Sequence, residues 1–301
     1  MISSFLQSSE WQKLQESLER ETLRIQEELV VLHQLRFGKQ YAYMPRGPKS
    51  FSESSLKDIA VMIKEKTQNT VFLRVEPMKE YSREDAEKLR SAGFRKIEAV
   101  QPEETLFLDL RKGEDELLSG MKHNTRYAIR AAERREVKIQ CYETGEEKKK
   151  HFGEFWKLFE ETNKHHDLDA YGKRYYEAVA GLEGECRSEL FVAYVGEKPI
   201  SAALVLYYRK MATYLFAASA QGFGKYNAPS LLLWRIIKKA QKRGEEALDL
   251  WGASDTKKEW AGLTAFKKGF GGAPVKFLGT WDYVFGKTWY LVYKVAKKIS
   301  P

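Results

Sequence analysis

AASAQGFGKYNAPSLLLWRIIKKAQKRGEEALDLWGASDTKKEWAGLTAFKKGFGG, residues 217–272, is the stretch on which the fold turns. It opens on a strand end and passes through a Gly-flanked loop, Gln221–Tyr226. An amphipathic helix follows, with Pro229 in its first turn and Gly244 at its end. A short apolar strand, Ala247–Trp251, and a second helix, Glu259–Phe270, complete it. A loop feeding a helix beside a parallel strand is where α/β proteins seat anionic ligands. Free amides at the helix start and the helix dipole both favour negative charge there.

Upstream, Leu190–Val195, Ile200–Tyr208 and Ala212–Ala218 are strands joined by Gly196-Glu197-Lys198-Pro199 and Arg209-Lys210. Connections this short make an antiparallel meander. Downstream, Val275–Phe285 is β-like and Lys287–Ile299 is a basic helix. Meander, helix, strand, helix, strand is the core order of the N-acetyltransferase (GNAT) fold.

The first half alternates strand and helix more roughly. Ser9–Arg20 reads as a helix with Ser9 as cap; Leu23–Ile25 and Leu29–Leu32 read as strands. A continuous helix from Ser9 to Leu35 competes with that reading. Tyr41–Met44 and Val71–Val75 are strands, Leu56–Lys66 and Ser82–Ala92 helices. Thr105–Leu110 is a strand, Glu114–Arg135 one long helix and Val137–Tyr142 a strand; helices near Glu147–Lys164 and Lys173–Leu182 follow. The chain is therefore expected to be α/β (α+β), with two GNAT-like domains: 1–104 plus 287–301, and 105–286.

Composition bounds the function. In 301 residues, 43% are hydrophobic and 31% charged, which suits a packed globular protein. The excess of 51 Lys+Arg over 42 Asp+Glu, a net +9, suits polyanionic partners. Cys141 and Cys186 form no CxxC pair, and the five histidines show no metal-ligand spacing, so neither a disulfide framework nor a metal centre is expected. The longest apolar run, Pro199–Tyr208, is far short of the roughly 20 residues of a membrane span. No secretory signal opens the chain, and a cytoplasmic protein is expected.

Three motifs bear on chemistry. Acetyltransferases carry Gln/Arg-x-x-Gly-x-Gly/Ala between strand and helix, so that pyrophosphate can approach backbone amides. Gln221 and Gly224 fit, but Tyr226 stands where the last small residue belongs and obstructs that approach. Lys122, Arg126, Arg130 and Arg134 recur at i,i+4, a stripe of repelling cations that an anionic partner would relieve and that solvent also tolerates. In Ala265–Gly272, three glycines and two aromatics surround Lys267 and Lys268, suggesting a tight helix exit. Lys267 could hold a phosphate or stabilise an oxyanion, or be a surface lysine.

Taken together and in order, Trp11-Gln12-Lys13, Pro45-Arg46-Gly47-Pro48, Lys122-x-x-Thr125-Arg126-Tyr127-x-Ile129-Arg130-x-Ala132, Tyr226-Asn227-Ala228-Pro229, Asp249-Leu250-x-Gly252 and Phe266-Lys267-x-Gly269-Phe270-Gly271 resemble the Fem family (FemA, FemB, FemX). The resemblance implies a tRNA-dependent aminoacyltransferase of peptidoglycan bridge formation. The amino acid moves from aminoacyl-tRNA to the stem-peptide side-chain amine of a UDP-linked or lipid-linked muramyl-pentapeptide. It also implies two GNAT-like domains, with the last helix returning to the first. No charged heptad insert corresponds to the coiled-coil arm of FemA and FemB, so the compact FemX type is nearer.

By motif matching, Lys13, Tyr226 and Lys267 fall at substrate-contacting positions; Arg46 and Asn227 belong to the same motifs, and Tyr175 matches a further substrate tyrosine. The family's arginine four residues before that tyrosine is Tyr171 here. The expected roles are Lys267 and Tyr226 as catalytic residues, and Lys13, Arg46, Tyr175 and Asn227 as acceptor contacts. Lys122, Arg126, Arg130 and Arg134, with the C-terminal helix, form the tRNA surface. The donor ester is already activated and the nucleophile is a substrate amine, so no cofactor is called for. A peripheral contact with the inner membrane face is compatible with a lipid-linked acceptor. An acyl-CoA-dependent N-acyltransferase and a non-catalytic RNA-binding module are the competing readings.

Overall fold

The computed structural model describes residues 4–166 and 171–299. The chain forms two compact units, Met1–Glu103 with Lys276–Pro301, and Glu104–Val275.

The first unit begins with helix α1 (Ser9–Ser17), capped by Ser8, whose hydroxyl accepts from Trp11 N. The continuous helix to Leu35 does not form. Glu19 adopts φ 62°, the chain turns, and β1 (Thr22–Ile25) pairs with β2 (Glu28–Gln34). The two residues between them, Gln26 and Glu27, both take positive φ, the geometry that matches strand twist in a two-residue hairpin. β3 (Gln40–Met44) lies antiparallel to β2 and parallel to β4 (Thr70–Val75), with α2 (Glu53–Lys66) making the crossover.

Helix α3 (Arg83–Ser91) and the short β5 (Arg95–Lys96) follow. The sheet order is β1-β2-β3-β4-β13-β5, where β13 is Trp281–Val284. Period-two alternation gives β4 two different faces. Leu73 and Val75 join the core with Leu56, Ile59 and Ile63 of α2 and Leu89 of α3. Phe72 and Arg74 face the last helix, α10 (Lys287–Ile299), through Tyr290 and Tyr293. Arg74 grips Asp282 of β13 in a buried two-pronged pair, at 2.8 and 2.9 Å.

The second unit is a seven-stranded sheet, ordered β12-β6-β11-β10-β9-β8-β7. Its strands are β6 (Glu104–Asp109), β7 (Lys138–Tyr142), β8 (Arg187–Val195), β9 (Lys198–Tyr208), β10 (Met211–Ser219), β11 (Ala247–Asp249) and β12 (Ala273–Lys276). The meander β8-β9-β10 is antiparallel, and β11 runs parallel to β10. Helices α5 (His123–Arg134) and α8 (Ala228–Lys242) cover one face around Ile129, Leu232, Ile236 and Tyr207. Helices α6 (Gly145–His166) and α7 (Lys173–Ala180) cover the other through Phe155, Phe159 and Tyr176. No helical hairpin stands off the sheet among the described residues.

Two expectations need correction. The helix expected over Glu114–Arg135 is two helices, α4 (Glu114–Gly120) and α5. Met121 and Lys122 are extended between them, Met121 is buried, and Lys122 N donates to Gly269 O at 2.9 Å. Tertiary packing outweighs the helical pattern there. The β-like stretch Val275–Phe285 also divides: β12 belongs to the second sheet, and β13 pairs with β4 and β5 in the first. Residues 276–286, expected in the second half, therefore return to the first unit with α10. Trp281 of β13 is buried in the first unit's core, and Asp282 beside it pairs with Arg74 of β4.

Candidate active site

In the second unit, the pairing of β10 with β11 ends at Thr213 opposite Asp249, while β10 runs on to Ser219. Beyond Asp249 the chain turns through Trp251 and Gly252, at φ 50° and 34°. Left-handed backbone at a tryptophan is strained and persists only when its surroundings hold it. Two side chains do so here. The buried Asp249 carboxylate accepts from Trp251 N at 2.8 Å and from the Thr105 hydroxyl. Lys267, on α9 (Ala261–Gly269), donates its ammonium to Trp251 O and, at 2.7 Å, to Gly252 O.

Lys267 is 5% exposed. Burial lowers its pKa from the usual 10.5 to about 8, against the opposing pull of Asp249. The alternative of a surface lysine is excluded. The ammonium is a positive charge fixed by carbonyls, and its pKa lies near the working range of acid–base catalysts. An ammonium has three donors, and the two carbonyls account for two of them.

Across the β10 end, Gly224–Tyr226 forms a single tight turn and Asn227 takes φ 53° before α8 begins. The turn uses its own amides: Tyr226 N donates to Phe223 O at 3.0 Å and Asn227 N to Gly224 O at 3.1 Å. Pro229 has no amide hydrogen. The half-buried Tyr226 ring stacks on Phe223, with centroids 5.9 Å apart, and Lys225 and Lys198 lie over these two rings.

The glycines after Lys267 permit close packing. A Cβ on Gly269 would meet Thr125 Oγ1 at 2.4 Å; on Gly271, Gly120 O at 2.9 Å; on Gly272, Phe107 O at 2.9 Å. Gly271 and Gly272 also have φ +84° and +92°. The exit of α9 is thus pressed against β6 and the α4–α5 joint, which brings Lys122 beside the helix that carries Lys267.

The cation stripe changes character with that joint. Lys122 is the cap residue of α5 and not part of its face. Arg126 turns its guanidinium back onto Leu118 O and Met121 O, satisfying carbonyls at the end of α4. Arg130 and Arg134 remain exposed on α5, with Arg134 over the exposed Tyr127 ring.

The other expected residues lie elsewhere. Tyr175, half-buried on α7, packs against Tyr171 and Phe216 on the face of the sheet opposite Tyr226. Arg46 and Lys13 belong to the first unit. Arg46 is buried at φ 54°, donates to Pro102 O at 2.9 Å and lies over the Phe277 ring; Lys13 is exposed on α1. Lys267, Tyr226, Asn227, Tyr175 and the cations Lys122, Arg126, Arg130 and Arg134 all belong to the second unit, and Lys13 and Arg46 to the first.

Sequence reasoning assigned no role to Asp249, Thr105 or the left-handed Trp251-Gly252 turn. It also passed over Glu76 in the first unit, a buried carboxylate that accepts from Val100 N, Gln101 N, Tyr43 and Thr280. Tyr43 is held protonated, well above its usual value, by burial and by that carboxylate. Asp249 and Gly252 stood in the motif Asp249-Leu250-x-Gly252 without an assigned role; Glu76 carried no comparable signal. Cys141, Glu143 and Glu189 bring ligand atoms within 4.8 Å of one another. Arg243 pairs with both carboxylates and Lys239 with Glu143, so their charge is already neutralised by protein cations.

The sequence pattern of the FemAB family matches residues 1–196 and again 183–298. The chain belongs to the FemAB family. A crystal structure of FemX shares the fold over 96% of this chain and 94% of that chain, at TM-score 0.80 and 17% identity. The C-terminal domain of a putative lysylphosphatidylglycerol synthetase from Agrobacterium fabrum matches at TM-score 0.61 and 14% identity, over 96% and 91%. The L-PGS structure from Bacillus licheniformis matches at TM-score 0.61 and 12% identity, over 95% and 96%. No curated protein matches the chain by sequence. Membership in the FemAB family implies a transferase with a peptidoglycan-related function. Among the described residues, no helix is long and apolar enough to cross a membrane.

Proposed function

We propose that the protein transfers an amino acid from aminoacyl-tRNA to the side-chain amine of the stem peptide in a muramyl-pentapeptide precursor. The observation that carries this reading is the FemAB match over both units. The amine attacks the ester carbonyl, a C–N bond forms, the ester C–O bond breaks, and the amine proton leaves with the tRNA 3′ oxygen. No enzyme nucleophile is needed. Positioning is worth several kcal/mol in such a reaction. A fixed cation at the developing oxyanion or at the acceptor diphosphate supplies the rest.

Lys267 is the residue we assign to that charge, because it is buried, held by two carbonyls and titrates at about 8. Tyr226 and Asn227 line the neighbouring helix entry. Their amides already bond within the turn, which disfavours a coenzyme pyrophosphate there and supports the aminoacyl-tRNA reading over the acyl-CoA one. Arg130 and Arg134 are assigned to tRNA phosphates. Lys122 joins them at the α4–α5 joint, while Arg126 orders that joint from within. Lys13, Arg46 and Tyr175 are proposed acceptor contacts on the family resemblance alone, since Tyr175 packs on the sheet face opposite Tyr226.

The test is to mix the protein with charged tRNA and UDP-linked or lipid-linked muramyl-pentapeptide and to follow acceptor mass. Gain of one aminoacyl residue supports the reading. Gain of an acyl group from acyl-CoA, or RNA binding with no transfer, would replace it.

A further inference from the structure

Helix α10 has two apolar faces. At about 100° per residue, Tyr290 and Tyr293 fall on one side and pack against Phe72, with centroids 5.2 and 4.9 Å away. Leu291, Val292 and Val295 fall on the opposite side and are 64%, 46% and 49% exposed. Lys287, Lys294 and Lys297 are exposed on the same helix, which contains no acidic residue.

A second element extends the patch. Phe37, at the turn joining β2 to β3, is 78% exposed and held at φ 62°. Its ring lies 5.9 Å from Trp289 of α10, and Lys39 lies 5.3 Å over that same indole. Arg36 is exposed beside it. A bulky residue in left-handed backbone with its ring in solvent carries strain that no core packing returns.

Aliphatic and aromatic side chains clustered outward among cations, with no acid on the helix, match the surface of an anionic bilayer. The apolar stripe enters the headgroup–acyl boundary and the lysines meet lipid phosphates. A tRNA backbone would engage the lysines but leave Leu291, Val292 and Val295 in water, so the apolar half of the pattern favours lipid. We propose that the outward face of α10, together with Phe37, docks the protein on an anionic membrane surface. The proposal is independent of the transferase reading, because binding to plain lipid requires no muramyl peptide.

Flotation of the full chain with phosphatidylcholine vesicles, with and without phosphatidylglycerol, tests it. The protein should float with the anionic vesicles and not with the neutral ones, and added salt should weaken the binding. Leu291→Asp with Val295→Asp, both at exposed positions, should abolish flotation with the thermal unfolding midpoint unchanged. Lys287→Glu and Lys294→Glu should each weaken partitioning by about fivefold or more. Absence of flotation with anionic vesicles overturns the proposal, as does full flotation of the double aspartate variant. It is also overturned if Lys294→Glu reduces tRNA binding and not flotation, or if the aspartate pair only converts a dimer to a monomer.

Discussion

Replacing Lys267 by methionine removes a buried ammonium while keeping a long, unbranched side chain. In the folded protein that ammonium titrates at about 8, and in the unfolded chain at the usual 10.5. Below the lower value both states hold the proton, and the cost of burying the charge is fully present. Between the two values the unfolded chain holds the proton and the folded one does not, so stability from this group rises with pH. Each pH unit in that window is worth about 1.36 kcal/mol. The interval from about 8 to 10.5 is therefore worth roughly 3 kcal/mol. The methionine variant lacks this dependence, and it removes the Lys267 hydrogen bonds to Trp251 O and Gly252 O at every pH. Urea unfolding of both proteins, from about pH 7 to about pH 10, gives the difference in stability at each pH. That difference should move in favour of wild type by roughly 2 kcal/mol or more across the range. A flat difference would refute the buried, perturbed lysine. Independently, transfer activity should fall about a hundredfold or more in the variant if this ammonium stabilises the transition state.

Asp282→Asn breaks the two-pronged pair with Arg74 and leaves a buried guanidinium without its counter-charge. The expected loss is about 3–5 kcal/mol in urea unfolding. Gly271→Ala forces a Cβ to 2.9 Å from Gly120 O at φ +84° and should lower stability by about 1–3 kcal/mol by the same measurement. Arg130→Glu and Arg134→Glu should leave stability within about 0.5 kcal/mol. They should weaken tRNA binding and flatten its salt dependence by about one phosphate contact each, read by filter binding over a salt series. Arg126→Ala should instead reduce stability by about 1 kcal/mol, because its guanidinium satisfies the end of α4.

What was legible in the sequence followed the strength of local signals. The meander, α8 and β11 combine short turns, Pro229 and Gly244 with clean periodicity, and every local preference there agrees with the fold. The Gly-rich exit of α9 was legible as a close approach, because three glycines in so short a span have few other uses. The joint at Met121–Lys122 was not, since helix-compatible residues run through it and only the bond from Lys122 N to Gly269 O reveals the break. For the same reason the i,i+4 stripe does not run along one helix face: its first member caps α5 and its second turns inward. Lys267 was singled out from its motif, but its burial and carbonyl cradle depend on the left-handed turn at Trp251, which residue identity does not announce. The split of β12 from β13 rests on contacts between positions far apart in the chain, the pairing of β13 with β4, the buried Trp281 and the Arg74–Asp282 pair.

Mass spectrometry of a muramyl-pentapeptide incubated with the protein and charged tRNA tests the central claim most directly. The account predicts an increase equal to one aminoacyl residue on the stem-peptide side-chain amine. That increase should require charged tRNA and be lost with Lys267→Met. An unchanged acceptor mass with both UDP-linked and lipid-linked precursors, or an increase that requires acyl-CoA instead, would contradict it.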